Sequence, residues 1–245
     1  MERYLIVMLA SVAGGFIQSV TGFGAAILIM IFLPSIFPLT SAPAISEVIT
    51  MTLNGAMLWR YRKAVHIRRM VVPVLFYMVV CVAAVRQASV LDTGKMKALF
   101  GVFLVILAGY FLFFSGMLKI QASLWTSMCC AGLGGLCGGL FGISGPPVSI
   151  YYLAATGTKE EYLGNMNAFF FITVFTNLGT RLSQGLLTAD LFPYMIAGII
   201  AIQIGCHLGN RLSGCIDMKA MKKCVYVLMI FAGIVSIIQG IGIFG

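Results

Sequence analysis

Backbone amides are the first groups in this chain that could do chemistry. Gly22-Phe23-Gly24 and Gly142-Ile143-Ser144-Gly145-Pro146-Pro147 interrupt two long apolar stretches. A helix restarting after such a break presents unpaired N–H groups and its positive dipole end, which together favour an anion. Glycine lets a ligand come close to the main chain, while Thr21 and Ser144 add hydroxyls and Gln18 an amide. Pro146 and Pro147 cannot donate to a helical ladder and disfavour helix just before them, so the second break is enforced.

Two ionisable residues sit in apolar surroundings, where charge is costly and therefore reads as functional: Glu47 and Arg181. Arg181 is a candidate counter-charge for an anion, and Glu47 a candidate proton-coupling or structural acid. The competing reading places both near a span end within reach of water. Asn54 and Asn177 stand at matching places and could hydrogen-bond either the broken backbone or the ligand. Enzyme chemistry finds no footing, since there is no His-Glu-x-x-His, no Gly-x-Ser-x-Gly and no Asp/His cluster to hold a metal. No cofactor is expected. The seven cysteines, odd in number and without C-x-x-C spacing, read as small apolar core residues.

The elements that must carry these residues lie in a membrane. Of 245 residues 60% are hydrophobic and only 9% charged, with a mean hydropathy of +1.03, outside the range of soluble domains. Residues 4–33 are apolar after Glu2 and Arg3 and lack a small-residue cleavage pattern, so a retained span is expected rather than a removable signal. The formal charge of +9 falls mostly between apolar spans, which points to cytoplasmic loops and anionic headgroups rather than nucleic acid. At about 20 residues per crossing, apolar segments fall at 4–38, 43–60, 70–90, 97–116, 123–155, 163–183, 190–212 and 221–243.

The segments repeat. Gly14, Gly15 and Gly22 match Gly134, Gly135 and Gly142, Asn54 matches Asn177, and Ala108-Gly109 matches Ala232-Gly233, at a slowly growing offset. The expected organisation is one membrane domain of two repeats, 1–118 and 119–245. Each repeat has about four segments and opens with a glycine-broken helix that is either a discontinuous crossing or a re-entrant hairpin. If both fold back, Arg60, Arg62, Lys63, Arg68, Arg69, Lys119, Lys159, Arg211, Lys219, Lys222 and Lys223 share one side, whereas simple crossings split the loop cations evenly. The positive-inside bias therefore favours hairpins and two inverted repeats.

At these residues the chain resembles the TauE/SafE sulfite exporter family, also called the toluene sulfonate uptake permease family. The resemblance rests on Gly15-x-x-Gln18-x-x-x-Gly22-Phe23-Gly24, on Gly134-Gly135-x-x-Gly138-Gly139-x-x-Gly142-x-x-Gly145-Pro146-Pro147 followed by Tyr151, and on Asn177. It implies an all-α polytopic transporter of the cytoplasmic membrane that moves a small anion, an organosulfonate or sulfite-like sulfur anion, by alternating access. The alternatives are an anion channel or a carrier of a small non-sulfur carboxylate. The expected substrate site comprises Gln18, Thr21, Gly22, Phe23, Gly24, Gly142, Ser144, Gly145, Asn177 and Arg181, with Glu47 as the coupling acid. Expected partners are the anion, a coupling proton or cation, membrane lipid and, as an open option, further copies of the chain. One departure stands out: Val79 to Arg86 lacks the glycine pair seen in its counterpart, Gly205-x-x-x-Gly209, so the two halves need not move alike.

Overall fold

A computed structural model describes residues 1–114, 121–212 and 218–241, with helices and no strand among them. The repeat boundary at 118/119, Lys119 and Cys215 lie outside the described residues, as do the side chains of Lys219, Lys222, Lys223 and Cys224.

The first apolar stretch forms α1 (Glu2–Thr21) and α2 (Ala25–Phe32). Between them Gly22 and Gly24 take φ values of +83° and +115°, a region that side chains strain to enter. The turn reverses the chain: a Cβ on Gly14 of α1 would sit 3.1 Å from the backbone of Ala25, so the arms lie side by side. The second stretch does the same with α6 (Leu124–Phe141) and α7 (Gly145–Ala155), joined at Gly142 with φ +69°. Here a Cβ on Gly134 would meet Val148 and the Ser144 carbonyl. Both glycine-rich segments are thus helical hairpins, and each tip forms where Gly22 or Gly142 closes a left-handed helix cap.

The remaining helices are α3 (Ala42–Tyr61), α4 (Ile67–Val90), α5 (Thr93–Gly109), α8 (Lys159–Ser183), α9 (Phe192–Leu212) and α10 (Met218–Gly240). They match the sequence-expected segments closely. Among the described residues, five stretches are long and apolar enough to cross a membrane: Glu2–Thr21, Ile67–Ala88, Thr93–Phe113, Leu124–Phe141 and Ala189–Leu212. The helices α3 and α8 are as long but carry Glu47, Asn54, Asn165, Asn167, Asn177 and Arg181, every one of them buried. Enclosure by other helices is what lets those groups reside at membrane depth.

The chain forms two compact units. One contains α1 to α4 and α6 to α9, so each sequence half contributes its hairpin and next two helices. Its centre is α3 packed along α8 in antiparallel sense, since Tyr61 adjoins Gly164 and Asn54 lies opposite Asn167 while Glu47 meets Arg181. Each hairpin's long arm leans on a helix of the other half. Cβ atoms on Gly15 or Gly205 would collide with main-chain oxygens where α1 meets α9, and those on Gly135 or Gly139 would collide with Tyr77 to Ala84 where α6 meets α4. The glycine pair missing from α4 is compensated there by the glycines of α6. The other unit holds α5 and α10, pressed together along Gly94, Gly101, Gly233 and Gly240.

Candidate functional site

Inside the first unit the two hairpin tips meet. A Cβ on Gly145 would lie 3.1 Å from that of Phe23, so the tips are in van der Waals contact. Beneath them is a cavity of about 50 Å³, room for roughly four waters at 10–15 Å³ each. Its roof is Phe23, Gly24, Ala26 and Ile27 from the first tip and Gly142 to Gly145 from the second. Its floor is one face each of α3 and α8, namely Glu47, Thr50, Asn54 and Phe170, Thr173, Asn177, with Gln18 and Tyr77 at the sides.

The spacing i, i+3, i+7 puts each floor triad on one helix face. Thr50 and Asn54 recur as Thr173 and Asn177 at the same offset, while Glu47 has Phe170 as its counterpart. A floor built alike from both helices therefore carries charge on one side only.

The first tip is organised by Gln18, whose Oε1 accepts from Ala25 N–H at 3.2 Å and whose Nε2 donates to Asn54 Oδ1 at 2.6 Å and faces Asn167 Oδ1 at 3.4 Å. With its oxygen so engaged, Asn54 has only its amide N–H₂ left to offer the cavity it lines. The next two N–H groups of α2, on Ala26 and Ile27, have no carbonyl partner, the first loop-to-helix bond being Leu28 N–H to Gly24 O. The roof of the first hairpin is therefore a donor surface at a helix N-terminus. The second hairpin offers fewer donors, because Pro146 and Pro147 occupy the positions that would carry them. Ser144 makes up part of the difference with its hydroxyl at the cavity wall.

Opposite this roof lies a buried polar cluster. Arg181 Nε bonds Glu47 Oε2 at 3.1 Å, the one ion pair among the described residues. Asn177 Nδ2 donates to Glu47 Oε1 at 3.0 Å and to the Tyr77 hydroxyl at 3.1 Å, and Cys81 Sγ donates to Asn177 Oδ1 at 2.6 Å. Arg181 Nη2 also donates to the carbonyls of Gly138 at 3.2 Å and Gly139 at 2.7 Å. These are last-turn carbonyls of α6, where a cation is favoured by the helix dipole.

Of the sequence-nominated residues, Gln18, Phe23, Gly24, Gly142, Ser144, Gly145, Asn177 and Glu47 line the cavity. The others stand behind it. Thr21 turns its hydroxyl onto the carbonyls of Ile17 and Phe23, closing the tip. Gly22 faces Tyr162 and Leu163. Arg181, 1% exposed, points at Glu47 and α6 rather than into the cavity. Pro146 and Pro147 open α7. Sequence reasoning passed over Thr50, Thr173 and Tyr77. The threonines carried a signal, since both precede the matched asparagines by four residues; Tyr77 carried none, as its counterpart across the halves is apolar.

No group of three or more His, Cys, Asp or Glu that could hold a metal is found among the described residues. No curated protein and no solved structure matches the chain. The family model described as sulfite exporter TauE/SafE matches residues 7–236, a range that takes in both hairpins, the antiparallel α3 and α8 and the cavity they enclose. The chain belongs to the TauE/SafE family of multi-pass membrane transporters and is not an enzyme.

Proposed function

We propose that this protein carries a small sulfur oxyanion, of the size of sulfite or a short sulfonate, across the cytoplasmic membrane by alternating access. The observation that carries the reading is the cavity between the hairpin tips, lined by Ala26 and Ile27, whose N–H groups take no main-chain carbonyl, and by Asn54 and Ser144. Several donors lining a low-dielectric site favour an anion without a formal positive charge. A cavity volume near 50 Å³ suits a small anion such as sulfite. The antiparallel α3 and α8, with matched Thr and Asn pairs, support two inverted repeats whose hairpin tips reach the site from opposite faces. Glu47 lines the cavity and pairs with Arg181, which supports a role in exchanging a proton as the site changes sides.

Sulfite uptake into proteoliposomes and equilibrium binding to the purified protein test this. Ser144→Val should weaken sulfite binding by roughly tenfold or more, the value of a hydrogen bond to a charged group, with the melting temperature of the ligand-free protein little changed. Unaltered affinity in that variant removes the hairpin tips from the site.

A further inference from the structure

The cavity has two chemically opposite walls. The roof donates, as described above. The floor, apart from the amide of Asn54, accepts: Thr50 Oγ1 donates its hydrogen to Ser46 O at 2.8 Å and Thr173 Oγ1 to Phe169 O at 2.8 Å, so both hydroxyls are spent on their own helix and present only lone pairs to the cavity. Glu47 adds a carboxylate in which each oxygen takes one donor, from Asn177 and Arg181, and keeps a lone pair. The groups facing that carboxylate from neighbouring elements are Arg181 and Asn177 on α8 and, through Asn177, Tyr77 and Cys81 on α4.

An oxyanion with lone pairs all round satisfies the roof and leaves Glu47, Thr50 and Thr173 facing further lone pairs. An oxyanion that still carries one acid proton satisfies both walls, because its O–H donates downward while its other oxygens accept from above. Buried polar groups left unpaired are what make a site reject a near-isosteric ligand. We infer that the cavity selects a monoprotonated oxyanion, hydrogen sulfite (HO–SO₂⁻) among the sulfur acids, and discriminates against fully ionised or donorless anions through the acceptor floor of Glu47, Thr50 and Thr173. This rests on the anion-site reading and narrows it: the proton is recognised as part of the cargo.

Isothermal titration of the purified full-length protein, at a pH just below neutral where sulfite is largely protonated, compares hydrogen sulfite with methanesulfinate (CH₃–SO₂⁻), in which a methyl replaces the hydroxyl, and with sulfate. Hydrogen sulfite should bind at least about tenfold tighter than either, the scale of one hydrogen bond to a charged group. In Glu47→Gln the side-chain amide supplies a donor as well as an acceptor, so the gap should shrink. If that variant does not fold, Thr50→Val and Thr173→Val decide: each should weaken hydrogen sulfite while leaving methanesulfinate unchanged or tighter. Equal affinity for hydrogen sulfite and methanesulfinate in the wild type would overturn the inference while leaving an anion site in place. Binding of none of the three would overturn both the inference and the anion site it rests on.

Discussion

Arg181 stands behind the cavity lining, bonded to Glu47 and to the end of α6. Its guanidinium neutralises Glu47 and caps α6 while only 1% exposed. Removing one partner of a buried pair leaves the other charge stranded, at a cost of about 3–5 kcal/mol, whereas replacing both with apolar residues of similar volume is often neutral. Arg181→Met should therefore lower the melting temperature sharply, and the double variant Glu47→Leu with Arg181→Met should recover most of the loss. Thermal unfolding in detergent of the wild type, both singles and the double completes the cycle. Non-recovery in the double variant would mean that the α6 carbonyls, rather than Glu47, are what Arg181 chiefly serves. The sequence marked both residues as costly but did not pair them, because 134 positions separate them and neither shares a local motif with the other.

At the scale of elements, close approach governs the assembly. Where α1 meets α9, a Cβ on Gly205 would overlap the Val12 carbonyl, a main-chain atom that cannot rotate aside. On α8, Gly179 is exposed and a Cβ there meets nothing within 4 Å. Gly205→Ala should accordingly destabilise the protein and reduce transport, while Gly179→Ala should leave transport intact and raise stability by about 0.5–1 kcal/mol through helix propensity. Melting curves and uptake rates of the two variants side by side would show it. The order of helices and both breaks were legible in the sequence, because Pro-Pro and Gly-x-Gly disrupt a helix by local sterics alone. The direction of each break was not. Whether an interrupted segment runs straight on or doubles back depends on partners such as Ala25 against Gly14, and loop charge only hinted at the answer. Likewise the donor surface on α2 was expected, but its precedence over α7 emerged only once the prolines could be placed at the first positions of the helix.

For the molecule as a whole, the proposed carrier and the alternative channel make different demands on the meeting hairpin tips. Tips that touch through Phe23 and Gly145 must part for cargo to leave, so one anion crosses per conformational cycle. Unlabelled sulfite outside proteoliposomes should then accelerate loss of labelled sulfite from within, and flux should saturate. Flux that rises linearly with concentration and shows no such exchange would indicate a continuous pore. What the sequence conveyed at this scale was class: membrane, helical, transporter. It could not convey that the final helices of the two halves, α5 and α10, form a separate compact unit, because that grouping depends on tertiary packing and not on hydropathy.

The seating of α1 against α9 and of α6 against α4 also constrains how the protein is made. The ribosome finishes α1 at Thr21 and does not reach α9 until Phe192, a delay of about 9–34 s at 5–20 residues per second. Throughout that interval the Gly15 face of α1 has no native partner, and lipid or an insertion factor must cover it. The N-terminal half expressed alone should consequently be short-lived in cells, and co-expression of residues 1–118 with 119–245 as two chains should rescue it, since each half supplies the surface on which the other's hairpin rests.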